Sequence, residues 1–444
     1  MSKNTIILNL WLCLPLGLWT SPSPASPQPL SAVSWPHHLF SPYVDAVIWP
    51  TFDFINAIDE IGIKYFNLGF VVAAAPDDCT PSWGTYYPVD AGYLQTEIGA
   101  IRDRGGDVVV SFGGAANTEL GLSCGNSEDL RQAYQQVIDA YNLTRIDFDI
   151  EGTWIGDEPS VERRSQAIAA LQEYAAGGGR ELSVWFTLPV LPTGLLPDAL
   201  NLLESALHYG VEIAGVNIMT MNYGDVPAPN PNGQMGEYAI ESATSLFYQL
   251  QGLYNDAGFP RPDEELWHMI GVTPMIGLND VTTEVFYPED AEELLAFAQA
   301  QHIGMLSFWS LNRDGPCSGG EIPYVSPNCS SILQEPFEFS SILLPFSGGA
   351  ASAPGAPGSV AECRISPNPF YGSTTIVYDV KVAGPLRLDV YDIRGRRIET
   401  LVEQFFEAGR YKEYWGAAHL AAGVYFLRFE GAGITVTKQL VLVK

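Results

Sequence analysis

The segment Thr144-Arg145-Ile146-Asp147-Phe148-Asp149-Ile150-Glu151 sets three carboxyl groups at alternate positions of an otherwise apolar run. Alternate residues of a β-strand share a face, so Asp147, Asp149 and Glu151 point one way and Ile146, Phe148 and Ile150 the other. A solvated acidic face would explain such a pattern in an antiparallel sheet with one wet side. If both faces are covered, the pattern means chemistry. Carboxyls packed together repel, and at least one keeps its proton near neutral pH. That is how a carboxyl becomes a general acid.

The neighbouring elements decide between the two readings. Between residues 43 and 315 the chain alternates β-branched or aromatic runs with helical patterns, the rhythm of repeated βα units. Strands are expected at 43–49, 64–73, 107–114, 145–152, 182–190, 213–224, 267–277 and 304–312. Eight such units predict an α/β fold, a (β/α)8 TIM barrel, whose helices cover the outer face and whose active site lies at the C-terminal ends of the strands. The acids then line the interior and rise toward that mouth. An open doubly wound sheet is the competing fold. It lacks support, because no glycine-rich phosphate fingerprint follows the first strand.

The run IDFDIE resembles the D-x-D-x-E signature of glycoside hydrolase family 18, the chitinases and their relatives. SFGG (Ser111 to Gly114) ends the third strand, TLPVLPTGL (187–195) the fifth, IMTMNYG (218–224) the sixth and FWSLNRD (308–314) the eighth, in the family's order. The chain departs from the family's longer motif at Thr144 and Arg145, where Asp and Gly are usual, and at Asn222, where many relatives carry Asp. The resemblance implies a retaining glycosidase in which the substrate's acetamido group replaces a protein nucleophile. It implies Glu151 as acid and base, Asp149 on the acetamido N–H and Asp147 in support of Asp149. A polar group from the sixth strand, Tyr223 in preference to Asn222, is expected to orient the acetamido carbonyl. Trp309 is expected as a sugar platform rather than a core aromatic. Ser111, Gly113, Met221 and Trp154 complete the expected substrate-binding set. Trp83, Tyr86 and Tyr87 lie in expected loops on the same rim, where together they would extend the cleft, while each alone reads as ordinary packing or surface.

Composition is consistent with this. The net charge of −29 argues against a nucleic-acid partner. Lys3 followed by the apolar run TIILNLWLCLPLGLW and then small residues reads as a secretory signal peptide over 1–27, with no membrane span in the mature chain. Export makes disulfides the default for loop cysteines. Cys317 with Cys329 and Cys79 with Cys124 are the expected pairs, and Cys363 is left over. There is no C-x-x-C, and the six histidines lack ligand spacing, so neither a metal nor an organic cofactor is expected. His37 and His38 are assigned to an N-terminal tail without a role.

The barrel is expected over 34–338, followed by a Ser/Gly/Ala/Pro-rich linker over 339–362. Residues 363–444 carry 11 basic and 8 acidic residues, against 22 and 51 in the whole chain, so charge changes sign across the linker. Their period-2 alternation with regular turns reads as a small β-sandwich. PNPF, the YDIRGRR turn, GVYF and the ending LVLVK resemble the C-terminal sorting domain of bacterial type IX secretion cargo. A carbohydrate-binding module is the rival, with Tyr411, Tyr414 and Trp415 as its aromatic strip. The whole reads as a secreted or cell-surface monomer acting on chitin or N-acetylglucosamine oligosaccharides, its partner the secretion machinery. The alternatives are an endo-β-N-acetylglucosaminidase acting on N-glycans and a non-catalytic chitin-binding lectin, the latter disfavoured by the retained Glu151.

Overall fold

The computed structural model describes residues 35–231 and 233–348, and, C-terminally, 363–380, 384–392, 396–406, 409–431 and 434–443. The expected signal peptide and residues 349–362 of the expected linker lie outside these. The chain divides into two compact units between Ser352 and Ala353.

The first unit is the expected barrel. Its parallel strands are Tyr65–Ala75, Asp107–Gly113, Arg145–Asp149, Ser183–Leu191, Ile213–Met219, Ile270–Thr273 and Met305–Leu306, preceded by a first strand in two pieces, Leu39–Phe40 and Tyr43–Asp45. Leu39–Phe40 pairs with the eighth strand and Tyr43–Asp45 with the second, which closes the ring. The first strand therefore begins four residues before the expected start. Pro42, which has no N–H to give a ladder, masks this in the sequence. Pro42 still accepts a hydrogen bond from Asn67 through its carbonyl.

The alternating pattern of the fourth strand sorts as geometry requires. Ile146, Phe148 and Ile150 are buried against the helical layer, and Phe148 stacks on Phe112 and meets Tyr134 edge-on. The helix Ser127–Tyr141 that carries Tyr134 starts where Asn126 accepts from the Asp129 N–H. The next helix, Glu158–Gly177, starts where Asp157 accepts from the Ser160 N–H, with Pro159 in its first turn.

Inside the barrel the N-terminal end is plugged by Leu39, Trp185 and Met305. The Arg145 guanidinium lies 4.7 Å from the Trp35 ring and 5.8 Å from that of Trp185, and burial lowers its pKa to about 10. Trp35 in turn donates to Thr144. The two departures at Thr144 and Arg145 thus belong to the barrel floor, and they do not support the acids.

Cys79–Cys124 and Cys317–Cys329 are bonded. One domain boundary needs correction. The helix Glu338–Leu343 and the turn Leu344–Ser347 belong to the barrel, with Phe339, Leu343, Leu344 and Phe346 buried in its core. Serines and glycines in this stretch obscure four apolar anchors, so residues 339–348 are not linker.

The second unit is a β-sandwich. Three strands (Cys363–Ser366, Ser373–Val380, Gly409–Gly416) form one sheet and five the other, around Ile376, Tyr378, Leu388, Val390, Trp415, Leu427 and Leu440. Trp415 is only 1% exposed and its indole N–H donates to Glu399, so it forms no aromatic strip with the exposed Tyr414.

Gly215 tests the packing of the barrel floor. A Cβ there would lie 2.4 Å from the Trp185 ring, whose centroid is 5.8 Å from the Arg145 guanidinium. Gly215→Ala is expected to destabilise by about 1–3 kcal/mol, read as a lower Tm. An unchanged Tm would show that the floor is loosely packed.

Candidate active site

The three acids occupy successive interior positions at the top of the fourth strand. Asp147 and Asp149 are buried, and Glu151, just beyond the strand, is half-buried. Glu151 keeps an extended backbone (φ −140°, ψ 179°), which leaves its side chain on the face of the other two. Gly152 follows at φ +64°, where a side chain would be strained, and turns the chain into the short helix Gly152–Gly156 that carries Trp154.

Asp147 is the most heavily bonded of the three. Its Oδ2 accepts from the Ser111 hydroxyl at 2.5 Å and the Tyr43 hydroxyl at 2.8 Å, and its Oδ1 from Thr187 at 2.8 Å. A polar relay extends behind Thr187, where Thr273 donates to Asn217 and Asn217 donates to Thr187. Hydroxyl groups from the first, third and fifth strands thus converge on one carboxylate. Burial raises the Asp147 pKa to about 6, although all three hydrogen bonds pull it down.

Asp149 has the opposite environment. Its Oδ1 is buried and meets no donor. Burial first, then the charges of Glu151 and Asp147, push its pKa well above the usual carboxylate value. The Glu151 carboxyl rises to about 7, through burial and the charge of Asp280. Asp280 is exposed and accepts from the Asn222 side chain at 3.3 Å.

The glycines of SFGG fit this crowding. Gly113 (φ +107°) pairs with Asp149 across the third and fourth strands, and a Cβ on it would lie 2.1 Å from the Asp149 carbonyl oxygen. Gly114 donates its N–H to the same carbonyl. Backbone contact this close holds the acidic strand in place.

Trp309 is half-buried at the end of the eighth strand, stacked on Phe70 with centroids 5.5 Å apart, and 6.1 Å from Tyr43. The ring is therefore linked through Tyr43 to Asp147. Met221 is half-buried, Trp154 is 39% exposed, and Tyr86 and Tyr87 are exposed. Two expectations need correction. Trp83 is fully buried, its indole N–H donating to Tyr141, and lines no rim. Tyr223 is buried and hydrogen-bonded to Ser242 on the helix Met235–Asp256, with its ring against Tyr238 of that helix. It faces the helical layer, and the neighbouring Asn222 is the exposed one. A shift of one residue along a strand exchanges the two faces.

Tyr43, Thr187, Asn217 and Asp280 were not singled out from sequence. Thr187 had a signal. It is the one hydroxyl in the apolar run Val184 to Leu188, in register with Asp149.

A closed parallel barrel with carboxyls crowded at its C-terminal mouth fits a (β/α)8 glycoside hydrolase, and comparison with known proteins shows that class. The catalytic domain of the hyperthermophilic chitinase from Pyrococcus furiosus is 33% identical and superposes with a TM-score of 0.63, covering 71% of this chain and 96% of that one. The probable bifunctional chitinase/lysozyme of Escherichia coli (strain K12) is 40% identical over 335 residues, 74% of this chain and 36% of that one. Endochitinase 11 of Metarhizium anisopliae is 40% identical over 304 residues, 68% and 56%. The chain thus spans about a third and just over half of the length of these two curated relatives. The chain belongs to glycoside hydrolase family 18. Residues 364–444 match the family model described as the secretion system C-terminal sorting domain.

The raised Asp149 pKa has a stability consequence of definite sign. A carboxyl that holds its proton more tightly folded than unfolded makes stability fall as pH rises from the unfolded value near 4 toward the folded one. Asp149→Asn removes that penalty. Its Tm is expected to exceed that of the parent at pH 7–8, with the gap closing as pH approaches 4, where the parent Asp is protonated in both states. Tm measured across pH checks this, and a gap that does not depend on pH contradicts it.

Proposed function

We propose that the barrel hydrolyses β-1,4-linked N-acetylglucosamine polymers with retention of configuration, the substrate's acetamido group acting as nucleophile. The observation that carries this reading is Asp149. It is a buried carboxyl with one oxygen meeting no donor, between the bonded Asp147 and the exposed-side Glu151. An acceptor left open beside a general acid suits an amide N–H from the substrate.

In this reading Glu151, with a pKa near 7, gives its proton to the glycosidic oxygen as the C1–O bond breaks. The acetamido carbonyl oxygen bonds to C1 and forms an oxazolinium. Asp149 accepts the acetamido N–H and offsets the positive charge that develops there. Asp147, anchored by Ser111, Tyr43 and Thr187, is the neighbour with which Asp149 shares a proton. Water then attacks C1, passes a proton to Glu151, and the acetamido–C1 bond opens. Asn222 takes the role first assigned to Tyr223, because it lies exposed at the mouth beside Asp280. Trp309 forms the platform under the sugar, with Trp154, Met221, Ser111 and Gly113 lining or bracing the cleft. The similarity of the barrel to chitinases supports chitin and its oligosaccharides as substrates. The sorting domain supports export through a type IX secretion system to the medium or the cell surface, with residues 1–27 as the signal peptide.

Glu151→Gln keeps the shape of the acid and removes its proton. Turnover of N-acetylglucosamine hexamer is expected to fall at least about a hundredfold, while calorimetry shows hexamer binding retained. Unchanged turnover would remove Glu151 from the acid role, and lost binding would assign it to substrate recognition instead.

A further inference from the structure

The N-terminal end of the barrel, opposite the acids, gathers three imidazoles that are remote in sequence. His37 and His38 directly precede the first strand, and His268 ends the helix Asp263–His268 leading into the seventh. One ring nitrogen from each lies within 4.8 Å of the others. The His37 and His268 rings are 4.2 Å apart between centroids, and those of His38 and His268 are 6.0 Å apart.

A tetrahedral zinc site with Zn–N bonds of 2.0–2.1 Å has nitrogen–nitrogen edges of about 3.3 Å. The histidine nitrogens are thus at most about 1.5 Å per edge too far apart. His37 is exposed, so its side chain can turn toward the other two without moving a strand, while His38 keeps its place. Two further features prepare the site. His38 Nδ1 lies 2.9 Å from the Ile303 carbonyl oxygen, a contact that requires an N–H on Nδ1 and leaves the Nε2 lone pair free. Metal-bound histidines are commonly oriented this way, through the nitrogen that does not bind the metal. His268 Nδ1 is buried and has no hydrogen-bond partner.

We propose that His37, His38 and His268 bind a transition-metal ion of the zinc type, which clasps the barrel where its ends meet. Imidazole donors suit Zn2+, Ni2+ or Cu2+ and not Mg2+ or Ca2+. The position gives the ion a structural task. The first strand pairs with the eighth and the eighth with the seventh, so an ion held by residues before the first and the seventh bridges the eighth and locks ring closure. His302, whose ring is 5.7 Å from that of His38, is the next imidazole outward, and water takes the fourth position. In sequence these histidines have no ligand spacing, because the pattern exists only once the ring is closed.

The test uses the tag-free full-length chain, dialysed against EDTA and then titrated with ZnCl2 by calorimetry, with Tm measured alongside. One equivalent of Zn2+ is expected to bind, and Tm to rise by about 4 °C at a hundredfold excess over Kd, with no rise in MgCl2. His268→Ala should abolish both effects. His37→Ala alters an exposed side chain that leaves the fold intact, and should weaken binding at least about tenfold. No zinc uptake up to about 100 Kd-equivalents of a micromolar site, or uptake that both variants leave unchanged, would overturn the site. Uptake without a Tm rise would overturn the clasp.

Discussion

The Asp147 carboxylate, held by three hydroxyls, is the interaction on which the rest of the barrel mouth depends. Tyr43, Ser111 and Thr187 reach it from the first, third and fifth strands, so a single side chain of the fourth strand fixes the register of its neighbours around the barrel axis. Buried charge is costly unless it is well bonded, and removing one donor leaves the carboxylate short of compensation. Folding tolerates it because Thr187 is itself supported by Asn217 and Thr273. The apolar side chains of the same strand pack outward at essentially no exposure, which anchors the strand independently of its acids.

That asymmetry sets the electrostatics of the mouth. Burial raises Asp147 to about 6 against the pull of its hydrogen bonds, whereas Asp149, with an unmet oxygen, is pushed well above the usual carboxylate value by burial and by the charges of Glu151 and Asp147. Glu151, nearer solvent, is held near 7 by burial and Asp280. The result is three carboxyls on one face of one strand whose proton affinities are all raised, by burial first and then, for Asp149 and Glu151, by neighbouring charge. Strain of this kind lowers stability in exchange for reactivity, a common feature of active sites.

Much of this was legible in sequence, for identifiable reasons. Period-2 alternation with three like charges is a local signal, and the SFGG glycines report close backbone approach at Gly113 and Gly114. What was not legible depends on long-range placement. Tyr43 lies some hundred residues before Asp147, and nothing near it indicates a phenol directed at a carboxylate. Tyr223 was assigned to the wrong face because the sixth strand ends at Met219, and periodicity loses its meaning in the irregular segment beyond. Phe339, Leu343 and Phe346 were hidden in linker-like composition, and Trp415 read as surface until a second sheet covered it. The histidine cluster is the extreme case, since its members meet only through barrel closure.

The central claim is that the substrate's own acetamido group does the work of a protein nucleophile at this carboxyl array. Time-resolved proton NMR of N-acetylglucosamine hexamer digestion reads it most directly, through the anomer formed before mutarotation. Initial release of β-anomeric products is the predicted result. Initial release of α-anomers would mean direct attack by water with inversion, and would contradict the account.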